Sequence, residues 1–123
     1  MKTFKEFLNE GINYKPTPGY DDDNTTIHHI PTEKIENSFK KSEYHVGKDG
    51  SGGSKMKYDR AKDFISSKPK DFEVPSMHVH DNGNVEFNDG RHRYAALRDS
   101  GAKTIPVTLS KEAHKNAKTH GYI

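Results

Sequence analysis

Apolar residues come in short bursts along this chain, and the spacing inside each burst names the element. Phe4, Phe7 and Leu8 lie at i, i+3, i+4, which predicts an amphipathic helix over 1–10. Thr3 and Glu6 form a capping box at its start, and Gly11 stops it. Ile27 to Ile30 reads as a short strand, and Pro31 to Ile35 as a helix start with Thr32 as its cap. Tyr44 to Val46 reads as another strand. Tyr58, Ala61, Phe64 and Ile65 make one face of a helix between Lys55 and Ser67, with Pro69 beyond its end. Met77, Val79, Val85 and Phe87 alternate with His78, His80, Asn84 and Glu86 around Asp81-Asn82-Gly83, which is a hairpin. A two-residue Asn-Gly turn would pair Val79 with Glu86 and mix the faces. A three-residue loop with Gly83 left-handed pairs Val79 with Val85 and Met77 with Phe87 and keeps them clean, so this register is expected. Asn88-Asp89-Gly90 turns the strand into a helix over Arg91 to Ser100, closed by Gly101. Thr104 to Leu109 is a strand in which Pro106 suits an edge or entry position. Ser110 caps a last polar helix that Gly121 ends. No internal repeat is present. The expected class is α+β, a small mixed sheet with packed helices.

Pro16, Pro18, Gly19 and the acid run Asp21-Asp22-Asp23 mark residues 11–26 as a flexible linker, leaving 27–123 as the compact domain. Gly47 to Ser54 (GKDGSGGS) lacks the Walker spacing of a phosphate loop and reads as a mobile surface loop. The 123 residues suffice for one domain. Only 29% are apolar against 31% charged, so the core is small. No run approaches the roughly 20 apolar residues of a membrane span. The absence of cysteine excludes disulfides, zinc–thiolate sites and thiol catalysis, and favours an intracellular setting. A net charge of +2 does not by itself signal nucleic-acid binding.

Candidate chemistry concentrates in Asp89-Gly90-Arg91-His92-Arg93. A glycine permits close backbone approach there, and the free N–H groups of a helix start point into the turn. Two arginines at a helix N-terminus oppose its dipole, and an anion would relieve them. Two readings stay open: a bound phosphate, or an ion pair of Arg91 or Arg93 with Asp89 or Glu86. Glu86 and Asp89 could hold a metal for phosphodiester cleavage, Asp89 could act as a base, or Asp89 could simply cap the helix. His78 and His80 share a strand face and, with Asp81, Glu86 or His92, could bind a metal; an exposed polar hairpin face is the preferred reading. Lys111, Lys115 and Lys118 with His114 and His120 read as a solvated helix face.

The segment NDGRHRYAALRDSGAKTIPV resembles the signature of the ParB/sulfiredoxin-like superfamily, which includes small phage proteins with a ParB-like nuclease domain. The likeness is strong over Val85 to Val107 and weaker over Ile27 to Ile35. In ParB the matching G-x-R-R turn contacts a nucleoside triphosphate, with His92 here in place of its first arginine. In sulfiredoxin Arg91 stands where the catalytic cysteine would be, so that chemistry is excluded. The resemblance implies a ParB/sulfiredoxin-like fold with Gly90, Arg91, His92 and Arg93 on phosphate or nucleotide, and Asp89, Glu86 and His92 as candidate catalytic groups. The cofactor it suggests is a nucleoside triphosphate with magnesium. The activity is left open between a metal-dependent DNA nuclease, nucleotide hydrolysis or phosphotransfer, and an inactive protein-binding module on the same fold.

MKTFKEFLNE is similar to the capsid-targeting peptides of internal head proteins of T-even-like bacteriophages. Those are removed by the prohead protease after [Leu/Ile]-x-Glu, which Leu8-Asn9-Glu10 before Gly11 fits. This implies a virion protein carried inside the phage head, with the capsid and prohead protease as partners of residues 1–11. Injected into the host cytoplasm, it would act on nucleotides or nucleic acid, or counter a host defence protein.

Overall fold

A computed structural model of the chain describes residues 12–20 and 25–123. The expected helix over 1–10 and the Glu10–Gly11 junction lie outside the described residues. Within them the fold is α+β, with two sheets and four α-helices.

The larger sheet contains β2 (Thr26–Pro31), β4 (Ser76–Val79), β5 (Val85–Asp89) and β6 (Thr104–Leu109), in the order β2-β6-β4-β5. β2 and β5 run antiparallel to their neighbours, while β4 and β6 are parallel. A second, two-stranded sheet pairs β1 (Asn13–Pro16) in parallel with β3 (Asp71–Val74). The helices are α1 (Thr32–Phe39), α2 (Lys55–Ser66), α3 (Arg91–Asp99) and α4 (Lys111–Thr119).

The hairpin adopts the register that keeps its faces clean. Val79 faces Val85, Met77 faces Phe87, and His78 faces Glu86 on the other side. Gly83 takes φ +89°, and the His80 N–H donates to Asn84 O at 2.9 Å to close the loop. Met77, Val79 and Val85 join Ile30, Ile105, Val107 and Leu109 in the core, covered by Ile35 and Phe39 of α1, Tyr94 to Leu97 of α3, and Ala113 and Ala117 of α4. Phe39 meets the rings of Phe87 and Tyr94 edge-on at 4.9 and 5.6 Å. Burying each such large side chain contributes about 1.5–3 kcal/mol. Helix α4 and the residues after it also grip the hairpin: Asn116 Nδ2 donates to Val79 O (2.9 Å), and the Tyr122 hydroxyl donates to Gly83 O (2.8 Å).

Several local expectations are corrected. Residues 11–26 are not linker throughout, because Asn13–Pro16 form β1 and Thr17 is buried, its hydroxyl donating to Val74 O. Tyr44 to Val46 form no strand; Val46 is buried while Tyr44 stands out in solvent. Thr32 does not cap α1: it is the first helical residue, and its hydroxyl donates to Ala102 O at 2.6 Å. Pro106 lies in a central strand rather than at an edge. Its position is tolerated because the ladder to β4 is short. The Thr108 N–H donates to Pro75 O, and the Pro106 nitrogen, two residues earlier, points the same way but before that ladder begins.

The Gly47–Ser54 loop is packed rather than free. It holds a short 3-10 turn, Lys48–Gly50, and Gly50 is buried at φ +88°. A Cβ there would stand 2.9 Å from Tyr58 Cβ, so the loop is pressed onto α2.

Candidate functional site

Helix α3 starts where β5 ends, and its first turn opens on a cleft of about 1050 Å³. Lys57, Arg60 and Phe64 of α2, together with Tyr44, form one wall with Arg91 and His92. Asp71, Glu73, Glu86 and Asp89 line the cleft from β3 and β5, with Lys15 of β1 among them. All five residues of the sequence-derived turn therefore reach one cavity, but their roles divide.

Gly90 has φ +88°, and a Cβ on it would stand 2.9 Å from Pro75 Cα. Backbone conformation and this close packing demand the glycine, without appeal to a ligand. Asp89 does not cap α3. Its Oδ1 accepts the Gly90 N–H at 2.9 Å, and no side chain caps the helix. Arg93 is fixed: it donates to Glu73 O (2.8 Å) and to Thr17 Oγ1 (3.1 Å), and lies 3.7 Å from carboxylate oxygens of Glu73 and Asp89. It therefore takes the ion-pair reading and braces α3 against β3 and the residue that follows β1. Arg91 differs. It donates to Tyr44 O (2.8 Å), lies over the Tyr44 ring, and pairs with no carboxylate among the described residues.

His92 is an acceptor. The Ser54 N–H donates to its Nε2 at 2.9 Å, which puts the ring proton on Nδ1. Burial lowers its pKa from the ordinary value, and the cations Arg91 and Lys57 lower it further. Glu86 is engaged by His80, whose Nε2 lies 3.7 Å from Glu86 Oε1.

The sequence reading missed Ser54, Lys57 and Arg60. Ser54 is the N-cap of α2, its hydroxyl accepting from Lys57 N–H, while His92 is the second residue of α3. The two helix starts thus meet at the Ser54–His92 contact, and both present the positive end of a helix dipole. The position of Lys57 and Arg60, each one residue before a core residue (Tyr58 and Ala61), was the available signal, since it turns them away from the interior.

At the other end of α3 lies a second polar cluster that the sequence reading also missed. Glu36 Oε1 accepts from the Tyr94 hydroxyl (2.8 Å) and Arg98 Nη1 (3.0 Å), and its Oε2 lies 2.7 Å from His45 Nε2. Arg98 also donates to Val46 O and to Asp99 Oδ1, and Asp99 Oδ2 accepts from the Tyr58 hydroxyl at 2.7 Å. Burial pushes the Glu36 carboxyl up, but hydrogen bonds from His45, Tyr94 and Arg98 outweigh it and hold its pKa below the ordinary range. Asp99 is lowered in the same way, burial being outweighed chiefly by Arg98 and Tyr58.

Among the described residues no three His, Asp or Glu side chains are grouped to hold a metal, and no helix is long and apolar enough to cross a membrane. Comparison of the chain with family models, curated proteins and solved structures finds no match.

Proposed function

We propose that the cleft at the start of α3 binds a phosphate-bearing ligand of the nucleotide class, in a ParB/sulfiredoxin-like domain of a bacteriophage head protein. One observation carries the binding: two helix N-termini meet at the Ser54–His92 contact, and Arg91, Lys57 and Arg60, none of them ion-paired among the described residues, line one wall of the same large cleft, whose carboxylates Asp71, Glu73, Glu86 and Asp89 come from β3 and β5. Such a wall favours an anion through the helix dipoles, the unbonded first-turn N–H groups and the fixed cations together. Arg91, Lys57 and Arg60 supply the charge. His92 offers its Nδ1–H, and Arg93 holds the helix in place. The exposed rings of Tyr44 and Phe64 line the same cleft and suit the flat face of a base.

A nucleoside triphosphate fits this wall. Magnesium carried with it would draw oxygen ligands from the phosphates and from Glu86 or Asp89. The nuclease alternative fits less well, because among the described residues no three His, Asp or Glu side chains are grouped to hold a metal without phosphate oxygens. In the same proposal the chain rides in the virion behind a peptide removed at Glu10–Gly11. It then meets nucleotides, nucleic acid or a host defence protein in the host cytoplasm.

Thermal unfolding with CTP, ATP or ADP tests the binding. A ligand at 100 times its Kd stabilises the fold by about 2.7 kcal/mol. The double variant Lys57→Gln, Arg91→Gln should lose that shift; a shift that survives it places the ligand elsewhere. Mass spectrometry of purified virions should find the N-terminus at Gly11, and an intact Met1 there rejects the removable peptide.

A further inference from the structure

Helix α2 and helix α3 touch at their starts through a hydrogen bond that depends on protonation. The Ser54 N–H donates to His92 Nε2 at 2.9 Å, and Gly53 lies so close that a Cβ on it would stand 2.8 Å from the same nitrogen. Nε2 accepts this bond only while it carries no proton. Once protonated, it would face the Ser54 N–H donor to donor, and this hydrogen bond would be lost, while the Asp49 N–H still donates to Asp99 Oδ2 at the far end of α3.

The charged groups that act on the ring are Arg91 from α3 and Lys57 from α2, both positive. The loop meets it with the Ser54 N–H and with Gly53, which has no side chain. With the cleft free of anions, burial and these two cations keep the imidazole neutral and the bond closed. An anion held by the same two cations offsets their repulsion of a proton on the ring. It makes a proton on His92 favourable and gives the ring a second N–H donor.

We propose that the Ser54–His92 hydrogen bond is a latch opened jointly by an anion and a proton: an anion seated beside Arg91 and Lys57 draws a proton onto His92, and the Ser54 N–H is released. This rests on the anion-binding reading given above and adds its regulation by pH. Linkage makes the effect reciprocal, so lower pH tightens anion binding as much as the anion promotes protonation. The sign follows from a base that is neutral in the free protein: the anion-bound state takes up a proton, so affinity rises as pH falls.

Sulfate is the probe, because its charge stays constant where histidine titrates. Its affinity for the full chain is measured by calorimetry at about pH 8 and about pH 5.5, on either side of the ordinary histidine pKa. Hydrogen exchange at the Ser54 amide, relative to its intrinsic rate, is followed in parallel. The latch predicts affinity higher at the lower pH, by up to about tenfold for each pKa unit that sulfate adds to His92, with faster Ser54 exchange when sulfate and acid are both present. His92→Gln keeps an oxygen to accept from Ser54 but does not titrate, so its sulfate affinity should be flat across the same range. Sulfate that binds the wild type equally at both pH values overturns the latch and leaves the anion site standing. A His92→Gln variant that keeps the wild-type pH dependence also overturns it, since another group then carries the proton. Absence of sulfate binding at either pH overturns both the latch and the anion site.

Discussion

The two ends of α3 carry similar residues in opposite arrangements. At its C-terminal end Arg98 is buried to 13% exposure and bonded to Glu36, Asp99 and Val46 O, with only its Nη2 lacking a partner. At its N-terminal end Arg91 meets one carbonyl and one ring, and Lys57 lines the same cleft with no carboxylate paired to it among the described residues. The helix dipole favours the first arrangement and opposes the second. A cation in the last turn of a helix can therefore serve the fold, whereas cations gathered at a helix start gain from a ligand that supplies negative charge. Arg93 shows that position alone does not decide this. It shares the first turn with Arg91, yet oxygens of Glu73 and Thr17 have claimed it.

The largest break in this comparison should come from the closed end. Glu36→Ala removes the acceptor shared by His45, Tyr94 and Arg98 and should lower the unfolding free energy by about 3 kcal/mol, read from urea midpoints. The same cluster sets the acid limit. Glu36 and Asp99 both have depressed pKa values in the folded chain, so their contribution is complete above the unfolded carboxylate range and is lost as pH falls through the folded values. Urea titrations stepped from neutral pH to strong acid should show this loss, with a shallower slope in Glu36→Gln.

Arg93→Ala should cost about 2 kcal/mol, because Glu73 O and the Thr17 hydroxyl lose a charged donor. Its sulfate affinity should change far less than its stability; a large affinity loss without destabilisation would return Arg93 to the ligand. Arg91→Gln is the mirror case. Stability should move by no more than about 0.5 kcal/mol, while sulfate binding weakens about tenfold for one lost charge-assisted contact.

What the sequence disclosed follows how local each signal is. The hairpin register was legible because Gly83 and the alternation from Met77 to Phe87 agree within a dozen residues. The start of α3 was legible from Gly90, and the end of α3 from Gly101. The β1–β3 pair was not, since its strands are four residues each, flanked by prolines, and joined in parallel across 58 positions from Asn13 to Asp71. Parallel pairing leaves no turn to announce it. Tyr44 to Val46 has strand composition, but only Val46 finds a core to enter. In the candidate site, Asp89 to Arg93 were found together because they are consecutive. Ser54, Lys57 and Arg60 come from a separate helix, and only the packing of α2 against α3 brings them there. Glu36, Arg98 and Asp99 drew no attention in the sequence, because periodicity marks where polar residues fall and cannot see that these three satisfy one another.

Strand β6 lies between β2 and β4, yet it follows both in the chain. Until Thr104–Leu109 emerge during synthesis, β2 and β4 have no strand between them to join them into one sheet. The hairpin can form early on its own, but the sheet is completed only by its latest piece. A truncation just before Thr104 should therefore leave a chain whose larger sheet is split, with β2 cut off from the hairpin, and folding of the whole should wait on closing these distant pairings.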